Sequence, residues 1–69
     1  MDILDTPVWE YNFSMMTLNK LHLASIHTIR ELVVKTEIEL IMDWKFGRRC
    51  RSEVKRELDK IGLHLGMTI

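Results

Sequence analysis

Apolar residues recur along this chain at the spacing of helices rather than of strands. The clearest case is Cys50, Val54, Leu58 and Ile61, which fall at i, i+4, i+8 and i+11 and so share one face, with Arg48, Arg51 and Lys55 opposite and Arg49, Glu53 and Arg56 on a flank. This pattern predicts a long amphipathic helix over about 48–61, ended by Gly62 as a C-terminal glycine cap. Upstream, Thr36-Glu37-Ile38-Glu39 has the form of a capping box and starts a short helix that carries Leu40 and Ile41 inward and stops near Asp43. Trp44-Lys45-Phe46-Gly47 then forms the turn between the two. Before them, Ser25 or His27 opens a segment with Ile29, Leu32 and Val33 as its buried face. Ser14 caps a helix running to about Leu23, with Met15, Leu18 and Leu21–His22 toward the core and Met16, Asn19 and Lys20 turned outward together.

At the N-terminus, Asp5-Thr6-Pro7 places a capping oxygen ahead of a proline suited to a first helical position, and Val8, Trp9 and Tyr11 follow as an irregular turn or a single helical turn. Trp9 and Trp44 are expected to be packing anchors, with Trp9 an interface candidate if it is exposed. No alternating run is bounded by turn residues. The expected fold is therefore all-α: a compact bundle of four short helices with an irregular N-terminal turn, residues 36–61 forming a helix-hairpin-helix. One domain covering 1–69 is expected, with Leu21, Ile29, Leu32, Leu40, Val54, Leu58 and Ile61 in a common core.

Composition narrows the class. A protein of 69 residues, 46% of them apolar and 29% charged, is able to fold, but it buries only about 60% of its unfolded surface, so a stability of a few kcal/mol is expected. No apolar stretch approaches the roughly 20 residues that span a bilayer, and the acidic start lacks the features of a secretion signal. A single cysteine, Cys50, can form no internal disulfide, in keeping with a reducing compartment. The expectation is a soluble cytoplasmic protein.

Charge supplies the first functional hint. The formal net charge is +0, yet residues 45–60 hold seven bases against three acids, while residues 1–15 hold three acids and no base. Gly47 followed by a basic helix offers free first-turn N–H groups and the positive end of a helix dipole, an arrangement that receives phosphate. The competing reading is a solvated basic face of an ordinary amphipathic helix. His22, His27 and His64 are spread over three segments without paired ligand spacing, so no metal centre is expected. Nothing assembles a nucleophile with a base, so no enzyme and no cofactor is expected; Cys50, beside the buried stripe, reads as structural.

Several strings together resemble the C-terminal domain of the bacterial RNA polymerase alpha subunit: Asn19-Lys20-Leu21, Ile26-His27-Thr28-Ile29-Arg30-Glu31-Leu32, Lys35-Thr36-Glu37-Ile38-Glu39-Leu40, Phe46-Gly47-Arg48-Arg49, Ser52-Glu53-Val54-Lys55 and Gly62-Leu63-His64-Leu65-Gly66-Met67. They run over about residues 13–67. The resemblance implies a four-helix bundle preceded by a non-standard turn, binding to the minor groove of A·T-rich DNA, a bacterial and nucleoid-associated setting, and surfaces for RNA polymerase, sigma factor or transcription regulators. It implies that Asn19 faces the groove with Lys20 beside it, that the Gly47 amide meets a phosphate, that Arg49 pairs with phosphate, that Cys50 stands where a serine is usual, and that Glu53 is an acid near the same surface; Arg48, next to Gly47 at the basic helix start, is expected to contact the DNA backbone with them.

One departure stands out. Where the resemblance implies a groove-reading arginine, this sequence has Met16, which has neither the charge nor the donors that suit a narrow A·T groove. Two expectations follow: a DNA-binding domain, or a protein-interaction module of the same fold, with Met16 and Trp9 as interface, that has lost groove recognition.

Overall fold

The computed structural model describes residues 2–69. Four α-helices follow two 3₁₀ turns, Ile3–Asp5 and Val8–Glu10: α1 is Met15–Leu23, α2 Ile29–Val33, α3 Glu37–Met42 and α4 Arg48–Lys60. No strand forms among the described residues; the only ladder-like pairing is an isolated bridge between Pro7 and Thr28. The fold is all-α, as the periodicity predicts.

Caps set the helix starts. The Ser14 side chain accepts from the Thr17 amide, and Thr36 and Glu39 form the predicted capping box, each satisfying the other's backbone donor. α2 departs from expectation. Its cap is Thr28, which makes a second capping box with Glu31, while Ser25 ends α1. Ser25 has φ 59°, its N–H donates to His22 O and the Ile26 N–H donates to Leu21 O, which is the Schellman termination with a serine where glycine is usual. The Thr28-x-x-Glu31 spacing carries the correct start as plainly as Thr36-x-x-Glu39 does. At the end of α4 the same termination uses Gly62 at φ +74°, as predicted, with the Leu63 N–H donating to Leu58 O at 2.9 Å and the Gly62 N–H to Asp59 O at 3.1 Å.

Pro7 is the N-cap residue of the second 3₁₀ turn, not a first helical residue. It is held there because Val8 N–H donates to His27 O at 2.9 Å and Ile29 N–H to Thr6 O at 3.0 Å, which ties the N-terminal segment to the start of α2. Arg30 pairs with Asp2 and Asp5 across the same junction. The last segment returns over the α2–α3 connection, with Gly66 N–H donating to Lys35 O and Met67 N–H to Val33 O, both at 2.8 Å.

The core is built from Val8, Phe13, Leu21, Ile26, Ile29, Leu32, Val33, Leu40, Phe46, Cys50, Val54 and Leu58, with Leu18, Ile61, Leu63 and Leu65 packed at its edge. Leu21, Ile29, Leu32, Leu40, Val54, Leu58 and Ile61, expected in a common core, are all part of it, Ile61 from the rim; Ile41 is only half-buried. The buried face of α1 is the exception. Thr17, Leu21 and Ala24 point inward, while Met15 is 72% exposed and His22 is exposed, so neither of these is a core residue. A buried threonine needs a hydrogen-bond partner, and one is supplied: Glu53 on α4 accepts from Thr17 Oγ1 at 3.0 Å. Trp9 and Trp44 are not packing anchors either, being 62% and 38% exposed.

Candidate nucleic-acid interface

α1 and the segment leading into it are fastened to α4 by two glutamates one turn apart. Glu53 accepts from the Ser14 amide (2.7 Å), Ser14 Oγ (2.9 Å) and Thr17 Oγ1 (3.0 Å), and Glu57 accepts from the Asn12 amide (3.2 Å) and Lys60 Nζ (2.8 Å). The bond from the Ser14 amide, with help from the two hydroxyls, holds the Glu53 carboxyl below its ordinary range; Lys60 does most to lower Glu57. Because these folded-state values lie below the unfolded ones, the stabilisation is present at neutral pH and is lost as pH falls from about 4.3 through the lowered values. The Glu53→Gln variant is expected to be less stable at pH 7 by about 1–2 kcal/mol, in line with losing hydrogen bonds to a charged acceptor. Urea unfolding at pH 7 and pH 3 should show the gap between variant and parent closing in acid.

The clamp brings the N-terminal turns of α1 against α4. Ser14, Met16, Arg49, Ser52, Glu53 and Arg56 line a cleft of about 510 Å³ between them. Met16 is 57% exposed on its rim. Lys20, one turn along α1, reaches back so that its Nζ donates to Lys45 O at 3.4 Å, in the loop before Gly47. Asn19 is exposed on the outer side of α1 and borders a smaller hollow with Trp9, Leu18, His22 and His27. The structure thus gathers Met16, Lys20, Arg49 and Glu53 around one junction, sets Gly47 and Arg48 at its end, and leaves Asn19 and Trp9 along its outer edge.

Gly47 is the N-cap of α4, exposed and without a side-chain cap, so the first-turn amides of Arg48, Arg49 and Cys50 are left uncovered by any capping group. Its φ of −72° is one any residue adopts, and a Cβ added there would meet nothing within 4 Å. Neither backbone strain nor internal packing explains the glycine; the left-handed residue in this loop is Lys45, at φ 55°. Cys50 as a whole is 2% exposed and belongs to the core, so its thiol faces inward rather than toward a ligand.

Ion pairing explains how a protein of zero net charge presents a cationic surface. Arg51 and Lys55 pair with Glu37, Arg56 and Lys60 with Glu57, and Arg30 with Asp2 and Asp5. Among the described residues, Lys20, Lys35, Lys45, Arg48 and Arg49 make no ion pair; Arg49 lines the α1–α4 cleft, Lys20 reaches the Lys45 carbonyl in the loop before Gly47, and Arg48, at the start of α4, lines a neighbouring hollow with Glu37, Arg51, Ser52 and Lys55. Glu37, which shares that hollow with Arg48, is paired with Arg51 and Lys55, and Glu53 is held by Ser14 and Thr17. Lys45 is not legible as a candidate in the sequence, because periodicity ranks helix faces and carries no signal for a loop cation.

A small all-α domain with its unpaired cations gathered at one helix start and a neighbouring helix defines the class. Residues 1–60 match the family of the C-terminal domain of the bacterial RNA polymerase alpha subunit, and the protein belongs to that family. It is 39% identical over 67 residues to the DNA-directed RNA polymerase subunit alpha of Chlorobium chlorochromatii, covering 97% of its own length and 20% of the relative. Against the same subunit of Aquifex aeolicus the identity is 41% over 66 residues, covering 96% and 21%, and against that of Cutibacterium acnes 40% over 62 residues, covering 90% and 18%. The sequence spans about a fifth of the length of these curated relatives. No helix among the described residues is long and apolar enough to cross a membrane.

Proposed function

We propose that this protein is a DNA-binding domain of the bacterial transcription apparatus, holding duplex DNA by the first-turn amides of α4 and by Lys20, Lys45, Arg48 and Arg49, with Asn19 and Met16 toward the minor groove. The observation that carries the reading is the set of unpaired cations at the α1–α4 junction: a phosphate backbone neutralises such a group without breaking an internal ion pair. Gly47 supports it, since a residue with no internal need to be glycine leaves its open side to something outside. In this reading α3 and α4 act as a helix-hairpin-helix over 36–61, and Glu53 contributes by fixing the two helices rather than by touching DNA. The domain works in the cytoplasm at the nucleoid, alone or as part of a longer polymerase subunit. A second reading, a module that docks on RNA polymerase, sigma factor or a regulator, is favoured by the exposure of Trp9 and Met16.

A salt titration of binding to A·T-rich and G·C-rich duplexes tests the first reading. With few phosphates neutralised, a Kd on the order of 10⁻⁶ M or weaker is expected, with a shallow salt slope. Arg49→Ala should weaken binding to every duplex about equally and reduce the slope by about 1. If that variant binds as the parent does, the phosphate site lies elsewhere; if the parent binds no duplex at low salt, the protein-interaction reading replaces it.

A further inference from the structure

We infer that Met16 is an apolar wedge that enters a base step from the minor groove and bends the DNA, so that this protein selects flexible pyrimidine–purine steps rather than narrow A-tracts. The inference rests on the DNA-binding reading and specifies what the groove-facing residue does.

Three observations carry it. Met16 is 57% exposed although it is large and apolar, and its neighbour Met15 is more exposed still. The backbone beneath it is unusually well anchored for a surface position. Ser14 and Thr17, two residues before and one after, are both held by the Glu53 carboxylate, through bonds of 2.7, 2.9 and 3.0 Å. A wedge needs such a base, because a side group on a mobile segment yields instead of parting a stacked pair. Finally, cations flank it: Lys20 follows one turn along α1 and the unpaired Arg49 shares its cleft, where Arg56 is paired with Glu57 and Glu53 is held by Ser14 and Thr17. An apolar knob between cations is complementary to a duplex, which presents apolar base faces between two phosphate backbones.

The chemistry then sets the preference. A thioether has no donor and at most weak acceptor character, so Met16 cannot read base edges, and its favourable contact is with base faces exposed by partial unstacking. Unstacking costs least at TA and CA/TG steps and most in stiff A-tracts. A cation reading groove potential has the opposite order, since A-tracts hold the narrowest and most negative groove.

Two duplexes of identical composition, one an A-tract and one rich in TA steps, separate the possibilities when affinity is read by anisotropy and bending by energy transfer between the duplex ends. The parent is expected to bind the TA-rich duplex more tightly, on the order of tenfold, and to shorten its end-to-end distance. Met16→Ala should abolish both the preference and the bend while leaving the weak binding common to both duplexes, and Met16→Leu should keep the bend; an unchanged melting temperature confirms that each variant is folded. Equal affinities on straight DNA, unaffected by Met16→Ala, overturn the wedge and leave the backbone contact standing. Absence of binding to either duplex overturns the DNA-binding reading, and the wedge with it, in favour of a protein partner.

Discussion

Leu58→Ala is expected to leave this domain largely unfolded near its working temperature. Leu58 is 0% exposed in the middle of the α4 face that also carries Val54 and Cys50, and it packs in the common core with Leu21, Leu32 and Leu40. Its carbonyl accepts from the Leu63 N–H at 2.9 Å and the Ile61 N–H at 3.1 Å, so the turn that ends α4 is built on the same residue. Truncating a buried leucine costs about 2–5 kcal/mol, the larger values arising where neighbours cannot collapse into the cavity. Here the surrounding residues come from three helices held by capping boxes and the Glu53–Glu57 clamp, which restricts relaxation. A domain of this size holds only a few kcal/mol in total. In thermal melts followed by circular dichroism, the midpoint should fall by at least about 10 °C. A variant melting with the parent would mean that Leu58 is not in the core, and would undo the α4 phasing on which the basic surface depends.

That phasing is legible in the sequence because α4 is long and strongly amphipathic, and its period, its start after Gly47 and its Gly62 stop agree with one another. The phase of α1 is not legible, for a physical reason. Its sequence offers apolar residues all round, including Met15, Met16, Leu18, Leu21 and Leu23, and hydrophobicity alone cannot choose between faces. The choice is made by a polar contact from 36 residues away in sequence, Glu53 to Thr17, which turns a threonine inward and Met15 outward. Ser25 hides a helix end because its left-handed backbone is the one glycine normally advertises.

The candidate site divides along similar lines. Gly47, Arg48 and Arg49 can be found from local sequence, since a helix start is a local event. Lys45 and the freedom of Lys20 cannot, because whether a cation is available depends on which acids lie near it in space. Seven bases stand in residues 45–60, but Arg51, Lys55, Arg56 and Lys60 have carboxylate partners on Glu37 and Glu57. Counting charge along the sequence therefore puts the basic surface over the whole of α4, while pairing restricts it to the end nearest α1.

Restoring a cation at the junction should change which DNA the domain prefers. In Met16→Arg the guanidinium would stand on the rim of the 510 Å³ cleft, one turn from Lys20 and beside Asn19, on backbone held by Ser14 and Thr17. The substituted position is exposed, so the core and the clamp are untouched. A planar fork with five donors suits a narrow groove of high negative potential, and a good base contact is worth about 1–3 kcal/mol of discrimination. Affinity for A·T-rich duplex should rise by about that amount over G·C-rich duplex. Within A·T-rich sequences, A-tracts should overtake TA-rich steps as the bend is lost. Competition binding with the three duplexes at one low salt concentration measures all of this. If affinity is unchanged, or rises equally for every duplex as added charge alone would make it do, position 16 does not face a groove. Met16 and Trp9 then become the place to look for a protein partner on this face of α1.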